Sequence, residues 1–205
     1  MVGVACVRHQ GNIAAAALAI TLATTAAASA GGSSVGVTIT ADRQANDFAL
    51  PKDTKYELEA DHAFDSGLIL GGSITYTNEA FSSVDNENLE GTVGYRARFN
   101  NVFSVVGSAG IGEHFQDADE GGDFPYYVFR IATDIKLCPR VTWTAISYRF
   151  RNAFDTDNDY NTPQLATAIA YRFDKHSSVS AKLAENWSNG EASSTAISLG
   201  YKFGF

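Results

Sequence analysis

The last ten residues of the chain read AISLGYKFGF, and Ile197, Leu199, Tyr201, Phe203 and Phe205 alternate there with Ala196, Ser198, Gly200, Lys202 and Gly204. Side chains of an extended backbone point to opposite faces at every second residue, so this stretch is a strand with one greasy face and one small, polar or charged face. The pattern recurs along the chain. Val35, Val37 and Ile39 share one phase, and Tyr56, Leu58, Ala60 and Phe64 stand opposite Glu57, Glu59 and Asp61. Leu89, Val93, Tyr95 and Phe99 oppose Glu90, Thr92, Arg96 and Arg98. Tyr127, Phe129, Ile131, Ile135 and Leu137 oppose Arg130, Asp134 and Lys136, and Leu165, Ile169, Tyr171 and Phe173 oppose three alanines and Arg172. In VTWTAISYRFR, Ile146, Tyr148 and Phe150 oppose Arg149 and Arg151, but Trp143 falls in the polar phase, which predicts a bulge.

This gives about ten strands, each close to the 9–11 residues that a tilted membrane strand needs, with eight to twelve as the range the spacing allows. Their connectors alternate in length. Asp65-Ser66-Gly67, Asn100-Asn101, Cys138-Pro139 and Asp174-Lys175-His176 are tight turns. Between them lie the polar stretches RQANDFALPKD, NEAFSSVDN, QDADEGGDF and NAFDTDNDYNTP, and the shorter SNGEAS, all expected as loops. Short turns at one rim and loops at the other are the layout of a membrane barrel.

Which solvent each face meets follows from the polar phase. Near strand middles it is mostly Gly, Ala, Ser and Thr, as a crowded interior requires, and it carries charges of both signs. The competing arrangement, a secreted soluble sandwich or lipocalin-like barrel, points its apolar face inward and its charges to water. The sequence therefore predicts an all-β fold: a closed antiparallel up-and-down transmembrane β-barrel over residues 31–205. In lipid every backbone N–H and C=O must be paired, which for a sheet demands closure.

The first thirty residues are of another kind. Arg8 precedes an apolar, Ala-rich run from Ile13 to Ala27, and Ala28-Ser29-Ala30 is a small-x-small box, so residues 1–30 are expected to be a signal peptide cut near Ala30. A hydrophobic content of 45% hides no series of helical spans, and a net charge of −8 argues against nucleic-acid binding. Cys138 alone remains after cleavage and reads as an inert turn residue.

With these strands, the leader and the closing YKFGF, the chain resembles the small outer-membrane β-barrel proteins of Gram-negative bacteria. The spacing of PYYVFRIATDIKL and ISYRFRNAF and the arginines within them also bear a fainter likeness to oligogalacturonate-type porins. The resemblance implies location in the cell outer membrane, contact with membrane lipid and lipopolysaccharide, and passage of small solutes. It also implies that Tyr201, Phe203 and Phe205 form the signal read by the barrel assembly machinery.

The candidate pore-lining residues are Glu57, Glu59, Asp61, Glu90, Arg96, Arg98, Arg130, Asp134, Arg149, Arg151, Arg172 and Lys202, with Lys136 and Lys182 in the same phase. Two arrangements satisfy such a set: ion pairs that plug a narrow barrel, or a thin aqueous path with excess positive charge that favours small anions. The acidic loop residues Asp117, Asp119, Glu120, Asp123, Asp155, Asp157 and Asp159 read as a solvated surface, with divalent bridging to lipopolysaccharide as the alternative. DTDNDY fails as a calcium loop, since Tyr160 stands where Gly is required. No catalytic, cofactor or metal site is expected, because Glu113-His114 and Asp61-His62 are neighbours on opposite strand faces. A non-conducting barrel acting through its outer loops is the alternative to a pore, and an outer-membrane enzyme comes third.

Overall fold

A computed structural model of the chain describes residues 31–81, 85–116, 122–155, 157–158 and 160–205. The expected leader lies outside the described residues, as do Asp117, Asp119, Glu120 and Asp159. Ten antiparallel strands make one closed barrel: β1 (Gly31–Gln44), β2 (Asp47–Phe64), β3 (Leu68–Glu79), β4 (Asp85–Arg98), β5 (Phe103–Gln116), β6 (Phe124–Cys138), β7 (Val141–Ala153), β8 (Gln164–Arg172), β9 (Ser177–Ser188) and β10 (Glu191–Gly204). Each strand pairs with its sequence neighbours, and β1 pairs with β10 to close the ring. At that seam Ser34 faces Gly204 in register. Ser33 and Phe205 exchange backbone hydrogen bonds of 3.1 and 2.9 Å, so the last residue of the chain completes the closure.

The alternation read from the sequence sets the two faces. Ile39, Tyr56, Leu70, Ile111, Phe129, Ile146, Leu183 and Leu199 project outward and are exposed, as are Tyr201, Phe203 and Phe205. The opposite phase points into the ring. An exterior this apolar around a closed hydrogen-bond ladder is stable only against acyl chains.

Strands β6 to β8 explain Trp143. Thr133 pairs with Ile146 and Asp134 with Thr144, and on the other side Thr144 and Ser147 pair with Ala168 and Ala166. One extra residue is thus inserted in β7 against both neighbours. The bulge reverses the phase, so Trp143 and Ile146 both face lipid while Thr144 and Ser147 face inward. Polar groups freed by the irregularity need partners in so apolar a setting. The Thr133 hydroxyl accepts from the Ile146 N–H at 3.2 Å, and the Thr167 hydroxyl donates to the Thr144 carbonyl at 3.0 Å while accepting from the Trp143 indole at 2.9 Å.

Two expected loops are strand instead. RQANDFALPKD is absorbed into β1 and β2, which run on to a two-residue connection at Ala45-Asn46, with register shifts near Arg43. Pairing continues irregularly between the two arms, through Arg43 opposite Pro51 and Gln44 opposite Asp47, with Pro51 tolerated at the irregular end. SNGEAS is likewise mostly strand: Asn189 and Gly190, with φ of 53° and 86°, form the two-residue turn joining β9 to β10. Asn-Gly favours this turn because both central residues must adopt positive φ. The remaining connectors at that rim, 80–84, 117–123 and 154–163, are longer. The chain-end rim has only the short turns 65–67, 99–102, 139–140 and 173–176.

Candidate functional site: the charged lumen

The lumen divides into a packed half and a hollow half. Toward the loop rim the inward side chains exclude water. Tyr126 and Val128 are fully buried, and Asn88, Ala153, Ala166, Ala184, Asn186, Ser194 and Ala196 are buried around them. Glu90 organises this half from β4. Its carboxylate accepts hydrogen bonds from Arg151 Nε at 2.6 Å, from the Arg130 guanidinium, and from the Tyr126 hydroxyl at 3.2 Å. The Arg151 guanidinium also lies 5.5 Å from the centre of the Tyr126 ring. Gly112 makes room for that ring, since a Cβ there would sit 2.5 Å from it.

Above this knot the loop between β7 and β8 lays Tyr160 across the mouth. The Tyr160 hydroxyl donates to Asn88 Oδ1 at 2.9 Å, and its ring packs on His114, Phe124 and Tyr126 with centroids 5.0 to 5.3 Å apart. His114 Nδ1 sits 3.0 Å from the same Asn88 oxygen. His114 therefore faces inward, and Glu113 faces out, as adjacent strand residues must.

The middle of the barrel and the half nearer the chain ends enclose a cavity of about 600 Å³. Five cations line it, Arg96, Arg130, Arg149, Lys182 and Lys202, against the three carboxylates Glu57, Glu59 and Asp61. Lys202 bridges two of those carboxylates, at 2.8 Å to each of Glu59 and Asp61. Between the charges the wall is small and hydroxylated, with Ser34, Thr38, Ser73, Thr92, Ser108, Ser147, Ser180 and Ser198.

Of the other residues picked from the sequence, Glu90 and Arg151 lie in the packed half. Asp134 accepts from the Thr144 hydroxyl at 2.7 Å in the chain-end half of β6. Arg98 and Arg172 are exposed near the chain-end rim, where Arg172 donates to the Pro139 carbonyl at 2.6 Å. Neither is part of the cavity wall. Sequence reasoning missed Tyr126 and Tyr160 as closing elements. Tyr126 carried a signal, since it shares the phase of Arg130; Tyr160 carried none, because a loop has no phase.

At the chain-end rim Asp174 holds the turn between β8 and β9 by accepting the N–H groups of His176 and Ser177 at 2.7 and 2.8 Å. Those two backbone donors hold its carboxyl below the ordinary range. Among the described residues no group of histidine, cysteine and carboxylate side chains is arranged to hold a metal ion.

No family model matches the chain, and no curated protein matches it. Solved structures do. The barrel superposes on an outer membrane channel from Pseudomonas putida F1 with a TM-score of 0.53 and 8% identity, covering 86% of this chain and 96% of that one. It superposes on the beta domain of the Bordetella autotransporter BrkA with a TM-score of 0.50 and 12% identity, covering 85% and 99%. A KdgM porin in complex with disordered oligogalacturonate aligns with a TM-score of 0.48 and 15% identity, covering 83% and 99%. The fold of this chain is that of the porin-like outer-membrane β-barrels.

Proposed function

We propose that the chain resides in the outer membrane, after removal of residues 1–30, and lets small solutes cross slowly with a preference for anions. The observation that carries the reading is the cavity wall: with Arg130 held by Glu90, four further cations stand against three carboxylates, inside a ring whose outside is greasy. A field of that sign in a confined, low-dielectric lumen concentrates anions and repels cations. Ten strands enclose little more than side chains can fill, so the path is narrow. The packed half, with Glu90, Tyr126 and Tyr160 across it, makes passage depend on brief openings. The surrounding partners in this reading are lipid and lipopolysaccharide, with the assembly machinery acting on the Tyr201, Phe203 and Phe205 end. Catalysis has no place in it.

A planar bilayer holding the refolded barrel tests the proposal. Small, infrequent conductance steps are expected, with a reversal potential shifted toward that of chloride in a potassium chloride gradient. Arg149→Gln and Lys182→Gln should reduce that shift. Cation selectivity would refute the anion preference. No steps at all would favour the second reading, a closed barrel acting through its loops, which the complete burial of Tyr126 and Val128 supports. N-terminal sequencing of the exported protein checks cleavage after Ala30.

A further inference from the structure

Three arginines cluster in the middle of the barrel near one carboxylate, which pairs with two of them. Arg130 and Arg149 are directly opposite each other in the β6–β7 register, and Arg151 follows Arg149 on the same inward face. Like charges directly opposite one another on a sheet are destabilising, and close pairing of buried guanidiniums requires an anion. Glu90 serves Arg130 and Arg151. Arg149 lines the cavity, and its Nε is buried with no hydrogen-bond partner among the described residues. Arg96 of β4 lines the same cavity, and its Nε is in the same condition. Two of the three carboxylates of the wall, Glu59 and Asp61, are engaged by Lys202.

We propose that the cavity holds a dedicated binding site for one compact oxyanion of the phosphate or sulfate type, with Arg149 of β7 as its principal donor and Arg96 contributing from β4. The inference rests on the anion-biased lumen proposed above and adds a stoichiometric site to it. Guanidinium is planar and presents parallel N–H donors, which match the paired oxygens of an oxyanion and not a spherical halide. The compactness follows from the closed end: with Tyr126 and Val128 fully buried, a chamber of about 600 Å³ takes a small ion and does not let an extended polyanion thread through. A free anion, and not a lipid headgroup, is the occupant, because the lumen is walled off from lipid on every side by the closed ladder.

Calorimetric titration of inorganic phosphate into the detergent-refolded barrel, in an oxyanion-free chloride buffer, tests the site. Saturable binding of one phosphate per barrel is expected. Arg149→Gln should weaken it by about tenfold or more, as the loss of a charge-assisted hydrogen bond implies. Arg149→Lys should retain part of the affinity, and Lys175→Gln, in an exposed turn at the rim, should retain all of it. Should Arg149→Gln fail to fold, the wild-type barrel alone decides: phosphate must raise its unfolding midpoint above that in chloride of equal ionic strength, and the rise must saturate with phosphate concentration, unlike the linear effect of an excluded salt. Absence of saturable binding and of that stabilisation, or equal affinity in folded Arg149→Gln, overturns the site. Anion-selective conductance without phosphate binding removes the site and leaves the passage reading intact; binding without conductance keeps the site and removes passage.

Discussion

Glu90→Gln isolates the ion knot that fills the loop-side lumen. The native carboxylate side chain is 1% exposed and accepts from Arg151, whose side chain is 9% exposed, and from Arg130, whose side chain is 30% exposed. Neutralising the acid strands the Arg151 charge in a space without water. Breaking such a buried pair by removing one partner costs about 3–5 kcal/mol. The Arg130 contact is screened at its exposed edge and adds under about 1 kcal/mol, because that guanidinium can swing into the cavity. The expected loss is therefore near the lower end, about 3 kcal/mol, or roughly two decades in the unfolding equilibrium. Reversible denaturant unfolding of barrels refolded into short-chain lipid vesicles measures it. The second arm is a cycle. If the cost is the stranded charge and not the lost carboxylate itself, Glu90→Gln/Arg151→Met should be more stable than the sum of the two single changes predicts, by at least about 1 kcal/mol. A Glu90→Gln barrel within about 1 kcal/mol of wild type, or strictly additive singles, would show that the knot does not hold this half closed.

Other perturbations probe the faces and the rims. Leu199→Arg places a charge on the lipid face near the middle of β10 and should cost about 2–4 kcal/mol in the same unfolding assay; an unchanged midpoint would mean that residue faces the lumen. Lys202→Met removes the bridge to Glu59 and Asp61, but these side chains are 29 to 40% exposed, so the loss should stay within about 1 kcal/mol. Asp174→Ala should alter the acid limb of the stability profile. Its folded pKa is depressed by two backbone donors, so its contribution is present above the unfolded carboxylate range and fades as pH falls through the depressed value. The variant's stability should thus fall less steeply than wild type on acidification, and parallel acid limbs would contradict the turn-holding role. Deletion of Phe205 should lower the yield of heat-modifiable barrel in the outer membrane, since its backbone also pairs with Ser33 at the seam.

How far a sequence discloses a barrel depends on which property has a period. Phase is periodic, so the outward course of Ile197, Leu199 and Tyr201 and the inward course of Glu57, Glu59 and Asp61 could be read directly. The misfit of Trp143 was itself informative, because a single phase error among good β formers has one simple remedy, an inserted residue, and β7 contains it. Strand length is not periodic. It is set by whether a partner strand continues, which is why RQANDFALPKD reads as a loop and yet joins the ladder through Arg43 opposite Pro51 and Gln44 opposite Asp47.

The lumen shows the same division at the level of pairs. Sequence phase puts Glu90, Arg130 and Arg151 inside, but ion pairing depends on the stagger between strands. That stagger carries Glu90 of β4 across β5 to β6 and β7, so that one carboxylate meets cations 40 and 61 residues away. The charges divide along the axis between a packed half and a cavity wall. Where a carboxylate can reach two guanidiniums the lumen is solid. Where the wall is made of small side chains, around Arg149 and Arg96, it is hollow. The hollow thus coincides with the level at which Arg149 has no carboxylate of its own. Supplying one should begin to close it: Ser147→Asp, one position before Tyr148 on the inward phase of β7, places a carboxylate on the cavity wall in reach of the Arg149 level. Such a barrel should lose anion selectivity in bilayers and gain stability toward denaturant, and a variant that kept its anion preference would show that the excess charge acts elsewhere.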